Sequence, residues 1–131
     1  ALFQSDLLIQ VIGIGIFVPF VEEVIFRGLV YGKLRRRFSW WAAAAVSAGF
    51  FAFYHGNVIQ IVYAFPMGLL LAWAYERWGC LLAPVLIHVG ANLLGILETV
   101  RNGELERIFL SRMPLRMKEM TMPEMTMPGI R

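Results

Sequence analysis

Apolar residues in this chain gather in long runs instead of alternating with polar ones. Four runs stand out: Leu7–Phe20, Trp40–Tyr54, Val58–Tyr75 and Cys80–Leu97. Runs of that length, with few or no charges, predict helices that cross a bilayer, since roughly 20 helical residues span about 30 Å of hydrocarbon. The pattern therefore predicts an all-α, polytopic transmembrane bundle of about four spans. The first two runs are short for a crossing unless their helices continue into polar flanks. Leu7–Leu34 reads as one long helix, bent near Pro19, whose charged half faces protein and not lipid.

Punctuation between the runs fits helix ends. "RRRFSWW" places Ser39 as an N-cap for the second helix, with Trp40 and Trp41 at the interface. "WWAAAAVSAGFFAFYH" is rich in Ala, Ser and Gly, which lets neighbouring backbones come close. "HGN" at 55–57 is a tight turn, and Pro84 falls in the first turn of the fourth helix, where it is tolerated. The start lacks both a basic region and a small-residue cleavage site, so a signal peptide is not predicted. With no initiator Met before Ala1, the chain is expected to be a fragment or processed product of a larger bundle.

Composition supports the membrane reading: 59% of the 131 residues are hydrophobic and 16% charged, against about 45–50% and 25% in soluble domains. The single cysteine, Cys80, excludes an internal disulfide and a thiolate-rich metal site. The net charge of +3 matters less than the cluster "KLRRR", Lys33 to Arg37, which reads as an interfacial anchor and not a nucleic-acid site. Basic residues in both the first loop and the C-terminal tail leave the orientation undecided. Residues 1–100 form the expected transmembrane core. Residues 101–131 read as a polar, Met-rich tail that repeats "EMTMP" over 119–128. Thioethers can bind Cu(I), but a tail without Cys or His makes a poor copper site.

Ionisable side chains inside spans cost on the order of 2.5–3.5 kcal/mol on insertion scales and mark functional sites by default. Five qualify here: Glu22, Glu23, Arg27, His55 and His88, with Asn92 as a sixth polar group. Glu23 and Arg27 stand at i, i+4 in the order that favours an ion pair. Glu22 points about 100° away around the helix and needs another partner. His55 closes the second helix with Phe51 one turn before it; His88 and Asn92 share a face of the fourth. Each alone reads as a satisfied buried polar group. Together they contain the parts of water-mediated peptide hydrolysis: a carboxylate and imidazole to activate water, and donors for an oxyanion. Neither Ser39, Ser47 nor Cys80 sits in a nucleophile motif. Zinc is a competing use of Glu22, His55 and His88, although "HVGAN" has Asn where a zincin helix has its second His. No cofactor is favoured and zinc stays open. Two other classes also remain: a non-catalytic partner-binding protein, and a proton relay for transport, the latter weakened because no inverted repeat is visible.

Three segments carry a resemblance. "EEVIFRG" is similar to an EExxxR signature, Phe51 to His55 to FxxxH, and "HVGAN" to HxxxN. In this order, over about Val21 to Asn92, they resemble the CPBP (Abi) family of intramembrane proteases, which includes type II CAAX prenyl endopeptidases and bacteriocin-processing or self-immunity proteins. The resemblance implies that Glu22 is the general base, assisted by His55. It implies further that Glu23 and Arg27 are a supporting ion pair, and that His88 and Asn92 stabilise the oxyanion. It also implies a metal-free glutamate mechanism, a peptide or prenylated-protein substrate, and a prokaryotic cell membrane.

Overall fold

A computed structural model describes residues 7–112 of the chain. Four helices follow one another: α1 (Leu7–Arg35), α2 (Trp40–Tyr54), α3 (Val58–Trp78) and α4 (Leu82–Arg112). The described residues divide after Ile96 into two compact units. The first holds α1 to α3 and the opening turns of α4. The second, over 97–112, is helical, with an exposed Glu98–Arg101 pair at 3.6 Å and Ser111 Oγ donating to the Ile108 carbonyl at 2.8 Å. The tail expected from residue 101 thus starts as regular helix, and the "EMTMP" repeats lie outside the described residues.

The polar half of α1 does continue the helix, as the run lengths required. Its register changes on the way: Gln10–Phe17 and Val24–Tyr31 wind in wide i→i+5 turns, with ordinary α-turns over Val18–Glu23 between them. Pro19 is buried at the start of that middle piece. It has no N–H to give, and its ring crowds the carbonyl four residues back, so the preceding turn widens. The expected distortion at Pro19 takes the form of this change in winding.

Three of the four expected crossings are long and apolar enough to span: Leu7–Arg35, Val58–Trp78 and Leu82–Glu104. The second is not. α2 keeps its 15 residues, about 22 Å at 1.5 Å per residue, because basic residues precede it and the "HGN" turn ends it. Ser39 occupies the N-cap position, but its side chain makes no capping bond. Asn57 does cap: its Oδ1 accepts from the Ile59 N–H at 2.9 Å. Gly79 ends α3 at φ 64°, a left-handed conformation that favours glycine.

What holds α2 to its neighbours is small-residue packing. Phe26 of α1, Phe51 and Ala52 of α2 and Ala64 of α3 form one buried cluster. Tyr31, Ala43, Ala44 and Ala72 form another. At Gly68 of α3 an added Cβ would lie 2.9 Å from both Cα and Cβ of Ala48, so the two backbones meet only because that position has no side chain. Between apolar surfaces in lipid, such close contact is what drives helix association. Ser47, mid-helix in α2, sends its hydroxyl to the Phe26 carbonyl at 2.8 Å and ties α2 to α1.

Candidate active site

The polar groups of three helices meet inside the first unit. Glu23 and Arg27 are wholly buried, His88 is 4% exposed and Glu22 8%. Glu23 Oε1 accepts from Arg27 Nη1 at 3.1 Å, the ion pair that the i, i+4 spacing predicted. The same oxygen lies 2.7 Å from His88 Nδ1. A carboxylate only accepts, so Nδ1 carries the proton in that bond. His88 Nε2 then faces Glu22, whose Oε2 stands 3.6 Å away, an electrostatic contact longer than a hydrogen bond. The partner that Glu22 lacked on its own helix is therefore supplied by α4.

Arg27 reaches in a third direction. Its Nη2 donates to the Gly68 carbonyl at 3.0 Å, and its Cζ sits 4.6 Å above the centre of the Phe51 ring. A guanidinium over an aromatic face is an attractive cation–π arrangement. Phe51 is also edge-to-face with both histidines, at 4.8 Å from His55 and 5.5 Å from His88. One ring thus spaces the two imidazoles and the arginine. Two buried polar atoms, Glu23 Oε2 and Arg27 Nε, have no partner among the described residues.

His55 and Asn92 make no hydrogen bond to either carboxylate among the described residues. His55 is half-buried at the end of α2, its Nδ1 bonded to the Phe51 carbonyl at 2.8 Å. That bond fixes Nε2 as the free lone pair. No hydrogen bond joins His55 to Glu22 among the described residues. Asn92 Nδ2 donates to the Ile14 carbonyl of α1 at 2.9 Å, which leaves one amide N–H unused. The geometry thus unites Glu22, Glu23, Arg27 and His88, and sets His55 and Asn92 at the margin of that group. Beside it runs an apolar cleft of about 220 Å³, lined by Phe17, Val21, Ile25, Phe26 and Tyr54, with Glu22 in its wall.

The zinc set Glu22, His55 and His88 does not assemble. Among the described residues no three His, Cys, Asp or Glu side chains are grouped to hold a metal ion.

Sequence reasoning missed three features. The first is the double use of Glu23, which depends on a residue 65 positions away. The second is the Gly68 carbonyl, an atom every residue has; the only hint was a glycine within an apolar helix. The third is a second polar cluster at the far end of α1. There the Tyr31 hydroxyl donates to Glu76 Oε2 at 2.5 Å, and Arg35 Nη2 donates to Glu76 Oε1 at 2.9 Å. Tyr31 and Arg35 at i, i+4 were a visible signal for it.

Comparison with known proteins agrees with the motif resemblance. Residues 4–94 match the family described as type II CAAX prenyl endopeptidase, Rce1-like. The chain is 34% identical over 97 residues to an uncharacterized 24.3 kDa protein of Escherichia coli, covering 70% of this chain and 45% of that protein. It is 29% identical over 87 residues to the putative membrane peptidase YdiL of Bacillus subtilis, covering 64% and 36%. It is also 29% identical over 97 residues to the membrane-embedded CAAX protease MroQ of Staphylococcus aureus, covering 70% and 39%. The chain spans less than half the length of each of these relatives. No solved structure matches it significantly. With bacterial relatives and three apolar helices, the chain is a multi-pass integral membrane protein of prokaryotic type.

Proposed function

The chain belongs to the Rce1-like family of type II CAAX prenyl endopeptidases, and on that premise we propose that it is the catalytic core of an intramembrane endopeptidase. The observation that carries this reading is the division of labour between adjacent acids. Glu23 Oε1 is engaged by both Arg27 and His88, while Glu22, also buried, is held only by a 3.6 Å contact to His88 Nε2. A carboxylate so placed is free to take a proton.

In the proposed reaction Glu22 accepts a proton from water as its oxygen bonds to the scissile carbonyl carbon. His55 Nε2, with its tautomer set by the Phe51 carbonyl, orients that water. The oxyanion that forms is met by the unused Asn92 amide N–H and by His88, which donates from Nε2 when doubly protonated and is held for that by Glu23. Collapse breaks the C–N bond, and Glu22 returns its proton to the leaving amine. The apolar cleft beside Glu22 fits an aliphatic side chain or part of a prenyl group. A prenylated C-terminus or a leader peptide is the proposed substrate.

The test is cleavage. The purified chain is incubated in detergent with a farnesylated CAAX peptide and a panel of leader peptides, with and without a chelator. Cleavage at one bond, lost in Glu22→Gln and His88→Ala and indifferent to chelation, is expected. Asn92→Ala should lower kcat by about 10²–10³, the usual effect of losing an oxyanion donor. If the wild type cleaves no peptide and these variants alter only partner binding, the scaffold or immunity reading replaces this one. Loss of activity on chelation, restored by zinc, would refute the metal-free mechanism.

A further inference from the structure

The cations at the end of α1 are not equivalent. Arg35 is committed to Glu76, at 2.9 Å from Nη2 and 3.0 Å from Nε. Lys33, Arg36 and Arg37 have no acidic partner among the described residues. With Leu34 and Phe38 these three line a cleft of about 380 Å³ that has no carboxylate in its wall. Arg36 also borders a neighbouring cleft of about 300 Å³ that runs past Tyr75. Next along the chain, Phe38, Trp40 and Trp41 are all exposed, at 55%, 44% and 66%.

We propose that Lys33, Arg36 and Arg37 form a binding site for the phosphate of an anionic phospholipid headgroup, with Phe38, Trp40 and Trp41 seated among the upper acyl chains. The site lies where a candidate span, Leu7–Arg35, leaves the apolar layer. Arginine holds phosphate oxygens through paired N–H groups, and lysine adds a point charge. Tryptophan favours the depth just below the headgroups. A free anion would satisfy the cations but not the three aromatic side chains beside them; a lipid satisfies both. Basic residues next to an anionic leaflet each raise affinity by about fivefold.

The experiment uses the full chain in non-ionic detergent, titrated with phosphatidylglycerol or phosphatidylcholine and read by native mass spectrometry. Phosphatidylglycerol should be retained at least about tenfold more tightly than phosphatidylcholine. Replacing Lys33, Arg36 and Arg37 together by Gln should abolish that preference, and Arg36→Gln alone should reduce it about fivefold. Arg35→Gln, whose charge is already matched by Glu76, should leave it within about twofold. If the triple variant is not recovered folded, Arg36→Gln decides. Equal retention of the two lipids by the wild type, or an undiminished preference in the decisive variant, overturns the proposal. So does full displacement of phosphatidylglycerol by inorganic phosphate or an acidic peptide, which would show a general anion site.

Discussion

The Glu23–Arg27 and Arg35–Glu76 pairs use the same chemistry at similar distances, 3.1 and 2.9 Å. Both involve arginines of α1, two turns apart. Their surroundings separate them. The first pair is closed off completely, while the side chains of the second are 43% and 33% exposed. Water and ions screen the outer pair and can replace either partner. Nothing replaces a partner in the inner one, where a lone charge would face hydrocarbon. The inner pair therefore sets the positions of the groups around it, and the outer pair decorates an edge that Tyr31 already joins to Glu76.

The sharpest way to break this contrast is Arg27→Ala. It strands the Glu23 carboxylate against His88 alone, and should destabilise the chain by about 3–5 kcal/mol, read as a lower midpoint in denaturant unfolding. Pairing it with Glu23→Gln should recover a good part of that loss, because the stranded charge is the main cost. Next in size is Glu22→Gln, which should slow peptide cleavage by about 10³ and yet leave the unfolding midpoint nearly unchanged. A large loss of stability there would mean that Glu22 is structural after all. Gly68→Ala should cost about 1–3 kcal/mol, since its methyl group must push α3 away from Ala48 and so draw the carbonyl from Arg27. Smallest is Arg35→Gln, with no measurable shift in the midpoint at physiological salt. An effect as large as that of Arg27→Ala would erase the distinction between the two pairs.

How much of this was legible beforehand depends on how local each cause is. The long first helix and the Glu23–Arg27 pair follow from run length and i, i+4 spacing, both properties of α1 alone. The three motifs carried the family. Their mutual geometry was less accessible: His88 approaches both acids from α4, and Asn92 turns to the Ile14 carbonyl. Such contacts depend on how helices cross, which spacing along one helix does not encode. α2 looked like a span by composition, but its length is capped by flanking turns. Residues 101–112 looked like tail because polar residues break the apolar run and Asn102-Gly103 reads as a turn, yet with no proline the helix continues through them. Phe51 was legible as a neighbour of His55 one turn away, but not as the ring that also meets His88 and Arg27.

The second hydrogen bond of Arg27, to the Gly68 carbonyl, bears on how the chain enters the membrane during synthesis. α1 emerges before α3 and α4, carrying Glu22, Glu23 and Arg27, each opposing insertion by on the order of 2.5–3.5 kcal/mol near the middle of the bilayer. Glu23 and Arg27 pair within α1, but the groups that complete their bonding, the Gly68 carbonyl and His88, lie on α3 and α4, about 40 and 65 residues later. The first helix is thus made before its partners exist. Truncating the nascent chain before α3 should leave α1 poorly inserted. Extending it through His88 should rescue insertion, as glycosylation-site mapping would report.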